Sequence, residues 1–538
     1  MTIQTSVERA RAATFARVPE NPFATAATTR MASLGGPPQH TYGAASMQTY
    51  ADGQVAYNTH ASADGFLAYV NQFEQTSFRV KDGQVEWWQY SPSFDDWQNN
   101  YGCDSVEVFY HAGHGGTDGS TGNYSAPLGS EWGGEIFLNS TEMSIGDQRL
   151  RYLYLATCEG CMVFPPNNPI RTWNVPNRGI RMLFGATANI YDDPGYGSNY
   201  WKHWNSGDSF SQAWQDAILD AGSDQQPAST ACGATASEAS SRLFNERFFD
   251  SGAASQNWYW WRWVGNAPAA AAGLSLAVPH DLRFPRVAPR VADRSSVQTA
   301  LRAHGFDPDA VPSDGPLEGI RLTTKAGRFA VLPGGGTMIE RHPARPKRSS
   351  LSETEVAAAA LKAVGGSDAG LRLMAVLPAL HAGRSTLRDG PVTEPTVFEH
   401  VVIYRQEIAG LPVLTPGVGE VRVHIDDSGK MRRLIDTRVV VLEILDSGPS
   451  PVTLPTPDGG KVKARQLTTM KEVVAALRRA SRHCGREGGD GHARLIAESV
   501  AFGYALRGNF LVPVARGKVE FGKGRYRMFE AVEVDLVA

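Results

Sequence analysis

The sequence predicts an α/β region in its N-terminal half, followed by an α+β region in its C-terminal half. Up to about residue 265, short apolar runs alternate with amphipathic helical patterns. A segment rich in alanine and proline then follows. Beyond it, segments typical of antiparallel strands and tight turns prevail over the rest of the 538 residues. The chain is therefore predicted to consist of two parts joined near residue 265.

The N-terminal part, residues 41–265, is expected to contain a parallel sheet with flanking helices. Its candidate strands are continuous apolar runs, which is typical of strands buried on both faces. These strands are predicted at Ser105–Tyr110, Arg151–Ala156 and Arg181–Thr187. Helices are predicted at Ala63–Phe73 and Phe210–Ala221. Residues 1–40, which lack an apolar core, are expected to form a mobile leader.

The C-terminal part is predicted to divide into a linker over residues 266–290, a module over 291–445 and an α+β subdomain over 446–538. The linker is rich in alanine, proline and arginine. Helices are expected from Ser352 to Val364 and around Met470–His483. Strands are expected at Val401–Ile408, Gly419–Ile425, Met431–Val441, Ser499–Leu506, Lys518–Phe521 and Arg527–Leu536.

The net charge of −3 conceals two halves of opposite sign. Residues 1–265 hold 15 Lys and Arg against 26 Asp and Glu, a balance of −11, whereas residues 266–538 hold 37 against 29, a balance of +8. We therefore expect the halves to contact each other. Neither half is basic enough to indicate nucleic acid as a partner. The aromatic run Trp258–Trp263 is predicted to form an edge element covering the core.

Cysteine usage and hydropathy favour a cytoplasmic protein. No run of 18 apolar residues is present, so we expect neither a membrane span nor a membrane partner. The first residues, Met1–Gly36, lack the apolar region of a secretory signal. An odd and sparse set of five cysteines argues against a disulfide framework.

Candidate catalytic residues follow two of the predicted strands. One strand leads into His111–Gly116 and the next into Thr157–Cys161. Because ligands of open parallel sheets bind at the carboxyl ends of strands, His114 and Cys158 are expected to share one cleft. A thiolate is a nucleophile that a neighbouring imidazole can activate. The amide groups of Gly115 and Cys158 are candidates for stabilising an oxyanion.

These motifs resemble the caspase-like (clan CD) cysteine peptidases, especially the CHAT and separase branches. The matching residues are His114-Gly115 and Thr157-Cys158-Glu159-Gly160, followed by Leu183–Ala186, Gly207-Asp208-Ser209 and the helix with Ala213 and Trp214. The resemblance covers residues 100–222. It implies a caspase-like sheet and cleavage of a protein or peptide substrate without a cofactor, with Cys158 as nucleophile and His114 as general acid and base. Cys161 is not part of the family pattern.

Three acidic residues are candidates for a substrate pocket. Asp192 and Asp193 follow the third strand, where such folds often line the pocket for the residue before the cleaved bond, and Glu159 follows Cys158. An acidic pocket would favour Arg or Lys in the substrate. The alternative is that the two aspartates before Pro194-Gly195 only form a turn.

Other functions remain open on the same residues. His111, His114, Cys158 and Cys161 supply two imidazoles and two sulfurs, a set that suits tetrahedral zinc. A catalytically inactive caspase-like scaffold used for binding is another alternative. An amine in place of water would convert the acyl-enzyme into a peptide ligase or cyclase.

The second module resembles the PepSY/FTP type found in peptidase propeptides. The resemblance rests on Tyr404–Val413 and Val421–Lys430, and it implies a binding or inhibitory module. We therefore expect the C-terminal half to regulate the enzyme by docking over or beside the Cys158 cleft. The arginines 283, 286 and 290 are expected to be exposed in the linker, where cleavage could release the module.

Overall fold

A computed structural model describes most of the chain. The described residues are 14–17, 20–23, 41–92, 97–265, 278–279, 281–290, 293–311, 316–325, 327–341, 348–365, 370–387, 390–445, 466–483 and 493–537. Cys484 and most of the predicted linker, residues 266–277, lie outside this set.

Up to residue 265 the described chain contains eleven strands and six α-helices. The strands are β1 (Thr14–Arg17), β2 (Tyr42–Ser46), β3 (Phe78–Lys81), β4 (Val108–Ala112), β5 (Gly116–Thr117), β6 (Tyr124–Trp132), β7 (Glu135–Asn139), β8 (Tyr152–Ala156), β9 (Met182–Ala186), β10 (Pro227–Gly233) and β11 (Trp258–Val264). The helices are α1 (Thr59–Val70), α2 (Trp97–Tyr101), α3 (Pro169–Trp173), α4 (Tyr196–Asn205), α5 (Phe210–Ala221) and α6 (Ala236–Asn245).

The remaining described residues form thirteen strands and three α-helices. The strands are β12 (Phe284–Pro289), β13 (Ile320–Thr324), β14 (Gly327–Val331), β15 (Thr337–Arg341), β16 (Leu371–Ser385), β17 (Val392–Ile408), β18 (Leu411–Pro412), β19 (Glu420–Asp426), β20 (Met431–Asp436), β21 (Val439–Leu445), β22 (Arg494–Arg507), β23 (Phe510–Lys523) and β24 (Tyr526–Asp535). The helices are α7 (Arg294–Ala303), α8 (Glu353–Ala363) and α9 (Met470–His483).

The N-terminal half is an α/β structure, as the sequence predicts. Strands β9, β8, β4, β2 and β3 lie side by side and are all parallel. Every residue of β4, β8 and β9 is buried, which accounts for their continuous apolar sequences. Helix α5 spans the predicted residues and is buried along its whole length. Its Ser209 side chain accepts the Gln212 N–H and caps the first turn.

The parallel sheet continues without interruption into the C-terminal half. Strand β11 pairs with β10 on one side and with β16 on the other, and the antiparallel order β16-β17-β19-β20-β15-β14-β13-β1 follows. The prediction of an edge element at Trp258–Trp263 is therefore wrong. Trp261 and Trp263 are buried, and their strand joins the two halves.

The described part of the N-terminal leader is packed against the fold, contrary to the prediction of a mobile segment. Strand β1 pairs with β13, and the Phe23 ring lies in the core against Phe249. The Glu20 carboxylate forms ion pairs with Arg247 and Arg321, which belong to different halves of the chain. Segments without an apolar run of their own can thus still be fixed by long-range pairing.

A second sheet cuts across the predicted domain boundaries. Its strand order is β21-β12-β23-β22, and β24 also pairs with β23. Strand β12 falls within the predicted linker, and β21 falls within the predicted second module. Arg286 lies in β12, and Arg290 forms an ion pair with Asp436, so neither belongs to a free linker. Helix α9 packs on this sheet through Val473 and Leu477.

Buried ion pairs connect helix α5 to strands β19 and β20. The fully buried Arg422 guanidinium lies 2.9 Å from both Asp216 and Asp220. Arg433 pairs with Asp216 at 2.9 Å and also with Asp208. Although burial favours the neutral acid, the nearby Arg433 holds the pKa of the Asp216 carboxyl well below its usual range. The negative half and the positive half therefore meet through matched charges.

Two further features concern the helices and the cysteines. None of the described helices is both long enough and apolar enough to cross a membrane. The described cysteines, at positions 103, 158, 161 and 232, are all free and buried.

Replacing Arg422 tests the importance of the buried pairs. We expect Arg422→Met to lower the free energy of unfolding by about 3–5 kcal/mol, because it leaves buried carboxylates without a cation. Arg507→Met is the control, since Arg507 pairs with Glu533 at the surface, where such pairs contribute below about 1 kcal/mol. Urea denaturation measures both values, and equal losses would contradict the prediction.

Candidate functional site

His114 lies just beyond the carboxyl end of β4 and is fully buried. Its Nε2 is 2.9 Å from the Val55 carbonyl oxygen, while its backbone N–H donates to the Tyr50 hydroxyl at 2.8 Å. A carbonyl can only accept, so Nε2 carries the proton and Nδ1 carries the lone pair of the neutral ring. Within the described residues, Nδ1 has no hydrogen-bond partner. The imidazole is thus fixed with one unused acceptor.

Cys158 lies beyond the end of β8, the parallel neighbour of β4. Its Sγ donates to the Arg527 carbonyl oxygen at 2.9 Å and accepts the Ile190 N–H at 3.3 Å. The contacts of the thiol are therefore with backbone groups. Among the described residues, no hydrogen bond joins Sγ to the His114 ring. The strand order nevertheless places both predicted residues at the same edge of the sheet.

The loops that carry the two residues are packed directly on each other. A Cβ added to Gly115 would lie 2.9 Å from Thr157 Cβ and 2.6 Å from the Tyr124 hydroxyl, so only glycine fits there. The Thr117 N–H donates to the Glu159 carboxylate at 2.8 Å, and the Thr117 hydroxyl donates to the Glu159 carbonyl at 2.8 Å. These bonds hold Glu159 at φ 53°, a conformation that costs on the order of 1 kcal/mol outside glycine.

Burial determines the protonation of both candidate residues. It lowers the pKa of His114 to about 4 and raises the pKa of the Cys158 thiol well above its usual range. In this arrangement the pair is therefore neutral imidazole and neutral thiol at pH 7.

The three acidic residues predicted for a substrate pocket have carboxylates that are engaged by backbone N–H groups. The buried Asp192 carboxylate accepts the N–H groups of Tyr57 and Asn58 at 2.5 and 3.0 Å. Asp193 accepts the Gly195 N–H, as the turn interpretation predicts, and Glu159 is bound to Thr117. Asn58 and Gly195 stand at the N-termini of α1 and α4, where backbone N–H groups have no partner within the helix, so the two aspartates satisfy such donors.

Asp192 instead supports the loop that holds His114. The two N–H groups that it accepts follow Val55 closely in sequence, and the Val55 carbonyl binds His114 Nε2. Burial raises the pKa of Asp192 to about 7. Asp192 is therefore a positioning residue: it binds the backbone next to Val55, and the Val55 carbonyl binds the imidazole.

The zinc alternative is not supported by the positions of its four residues. His111 Nδ1 is bound to the Tyr90 hydroxyl at 2.7 Å, and no three of these four described residues bring their ligand atoms within 4.8 Å of one another. Within the described ranges, a group of three potential metal ligands with ligand atoms within 4.8 Å of one another lies elsewhere. It consists of His203, Asp208 and Asp216. That cluster is occupied by the arginine ion pairs described above.

The hairpin of β23 and β24 covers the site. Docking of the C-terminal half over this cleft is expected from the sequence, but the hairpin that makes the contact is not. Its tip, residues 521–529, contributes the Arg527 carbonyl that binds Cys158. It also contributes the Phe521 ring, whose centroid is 5.6 Å from that of His114. Arg527 lies 369 residues from Cys158 along the chain, so no local motif could reveal the contact. Val55 was missed because a backbone carbonyl carries no side-chain signature.

One domain family matches part of the chain. A family described only as a domain of unknown function, DUF6345, matches residues 44–265. The match spans β2 to β11 with both candidate residues, and it ends before the hairpin tip. No curated protein matches the chain.

The pH dependence of stability tests the assignment of Asp192. The pKa of Asp192 is higher in the folded than in the unfolded protein, so this residue contributes more to the free energy of unfolding as the pH falls from 7 to 5. His111 and His114 have folded pKa values lowered to about 4, so they reduce the free energy of unfolding over the same range. We expect Asp192→Asn to steepen the loss of unfolding free energy between pH 7 and 5 by about 2 kcal/mol. Urea denaturation at each pH measures it, with the exposed Asp309→Asn as control. Parallel profiles for wild type and Asp192→Asn would contradict the assignment.

Proposed function

We propose that the N-terminal half is a caspase-like cysteine peptidase in which Cys158 is the nucleophile and His114 the general acid and base. One observation carries the proposal. Two adjacent parallel strands end in a thiol and in an imidazole whose Nε2–H is bound to a backbone carbonyl, which leaves Nδ1 as the buried acceptor. The order of these residues along the chain agrees with the resemblance described above.

The expected reaction is transfer of an acyl group through a thioester. His114 Nδ1 takes the proton of the Cys158 thiol, and Sγ attacks the carbonyl carbon of a peptide bond. The carbon–nitrogen bond breaks, and the amine leaves with the proton held at Nδ1. Water then hydrolyses the thioester and restores the thiol, and no cofactor takes part. An amine that competes with this water would give ligation.

The negative charge on the carbonyl oxygen needs donors in the same cleft. The amide groups of Gly115 and Cys158 belong to the two packed loops, and the missing side chain at Gly115 lets Thr157 and Tyr124 pack closely against it, which brings the two loops together. Val55 and Asp192 fix the imidazole from the other side. Val55 and Asp192 only position the imidazole, so changes at these two residues should reduce turnover less than loss of Cys158.

Matched cysteine variants test the proposal. We expect Cys158→Ala and His114→Ala to reduce peptide hydrolysis by about 10⁴-fold or more, because nucleophile and base act as one unit. Cys161→Ala is the control, since it removes an equally buried thiol outside the proposed dyad. The readout is cleavage of a mixed peptide library, analysed by mass spectrometry.

The same experiment separates the other functions. Hydrolysis that persists in Cys158→Ala would refute the dyad. Absence of cleavage under all conditions, together with an unreactive Cys158, would favour an inactive binding scaffold. Joined peptides in the library would indicate a ligase.

A further inference from the structure

The hairpin tip, residues 521–529, pairs with the segment that follows β9 through an isolated parallel bridge between Tyr191 and Phe529. The Phe529 N–H donates to the Ile190 carbonyl at 3.1 Å, and the Asp192 N–H donates to the Phe529 carbonyl at 2.6 Å. Two residues earlier, the Arg527 carbonyl accepts the Cys158 thiol. Backbone pairing of this kind is how extended peptides bind to the edges of sheets.

Side chains on both sides of Arg527 in the sequence anchor the tip. Met528 is 1% exposed and belongs to the core of the N-terminal half. Tyr526 stacks on Phe137 with the centroids 5.4 Å apart, and its hydroxyl lies 2.9 Å from Ser125 Oγ. An exposed ion pair joins Arg525 to Asp118 at 3.1 Å.

The tip takes the place that a substrate backbone requires. A thiol that attacks a peptide bond needs a substrate carbonyl beside Sγ, and the Arg527 carbonyl occupies that position. The tip also keeps water from Cys158 and His114, which are both fully buried. Substrate and hairpin tip therefore cannot bind to the cleft together.

We propose that the hairpin tip is an autoinhibitory latch that binds the cleft in the manner of a substrate and must withdraw before Cys158 can react. The base of the hairpin is held separately, because β23 pairs with β22 and β12 and packs against α9. Withdrawal of the tip thus leaves the second sheet in place. The proposal rests on the proposed function for the nature of the displaced ligand, an extended peptide.

Two full-length variants test the latch without relying on peptidase activity. Met528→Asp removes the buried anchor, and Tyr526→Ala removes the stack and the hydroxyl contact. The measured quantity is the rate of alkylation of Cys158 by iodoacetamide, with the labelled residue located by mass spectrometry. We expect each variant to react at least about tenfold faster than wild type, because loss of buried contacts increases local opening. Arg507→Ala, an exposed change on the neighbouring strand, should react at the wild-type rate.

A synthetic peptide of residues 522–530 provides the complementary test. It should slow the alkylation of Cys158 in Tyr526→Ala, whereas a peptide of the same composition in scrambled order should not. If Met528→Asp fails to fold, as judged by circular dichroism, Tyr526→Ala and the peptide decide the matter.

The outcomes distinguish the latch from the peptidase. Faster alkylation in Tyr526→Ala without cleavage of any peptide would support the latch and refute the proposed function. Equal alkylation rates in wild type and Tyr526→Ala, with no effect of the peptide, would overturn the latch even if the wild-type protein cleaves peptides.

Discussion

The pairing of β11 with β16 is the constraint on which the rest of the structure depends. Through this pairing, the sheet of the N-terminal half and the antiparallel strands of the C-terminal half become one, so the C-terminal half has a fixed place relative to the ends of β4 and β8. The second sheet, built from β12 and the last strands of the chain, is held by the same frame. The hairpin of β23 and β24 consequently reaches the edge of the parallel strands, where Cys158 lies.

Buried ion pairs further restrict how the two halves can be aligned on this frame. Arg422 and Arg433 of the C-terminal half meet aspartates of helix α5 and its N-terminal turn in a region without solvent. Buried pairs add little net stability over apolar packing, but a mismatched one is costly. They therefore favour the single arrangement in which every buried charge has its partner.

Local patterns predicted the parts of the site that depend on local structure. Buried strands are recognisable by continuous apolar residues, and the residues after parallel strands lie at one edge of the sheet, so the common location of His114 and Cys158 could be predicted. The contacts of Val55 and Arg527 could not, because they use backbone carbonyls brought in by long-range folding. The Trp258–Trp263 strand was misplaced for a related reason, since its second partner, β16, is separated from it by the whole of residues 265–370.

That separation has a consequence for synthesis of the protein on the ribosome. When residue 265 has emerged, the tryptophan-rich strand β11 can pair with β10 but its other edge must wait until β16 has been translated. An unpaired apolar edge is a template for association with other chains. The nascent N-terminal half therefore exposes an unpaired strand edge until residues 371–385 have been translated, and during this interval it can associate with other chains.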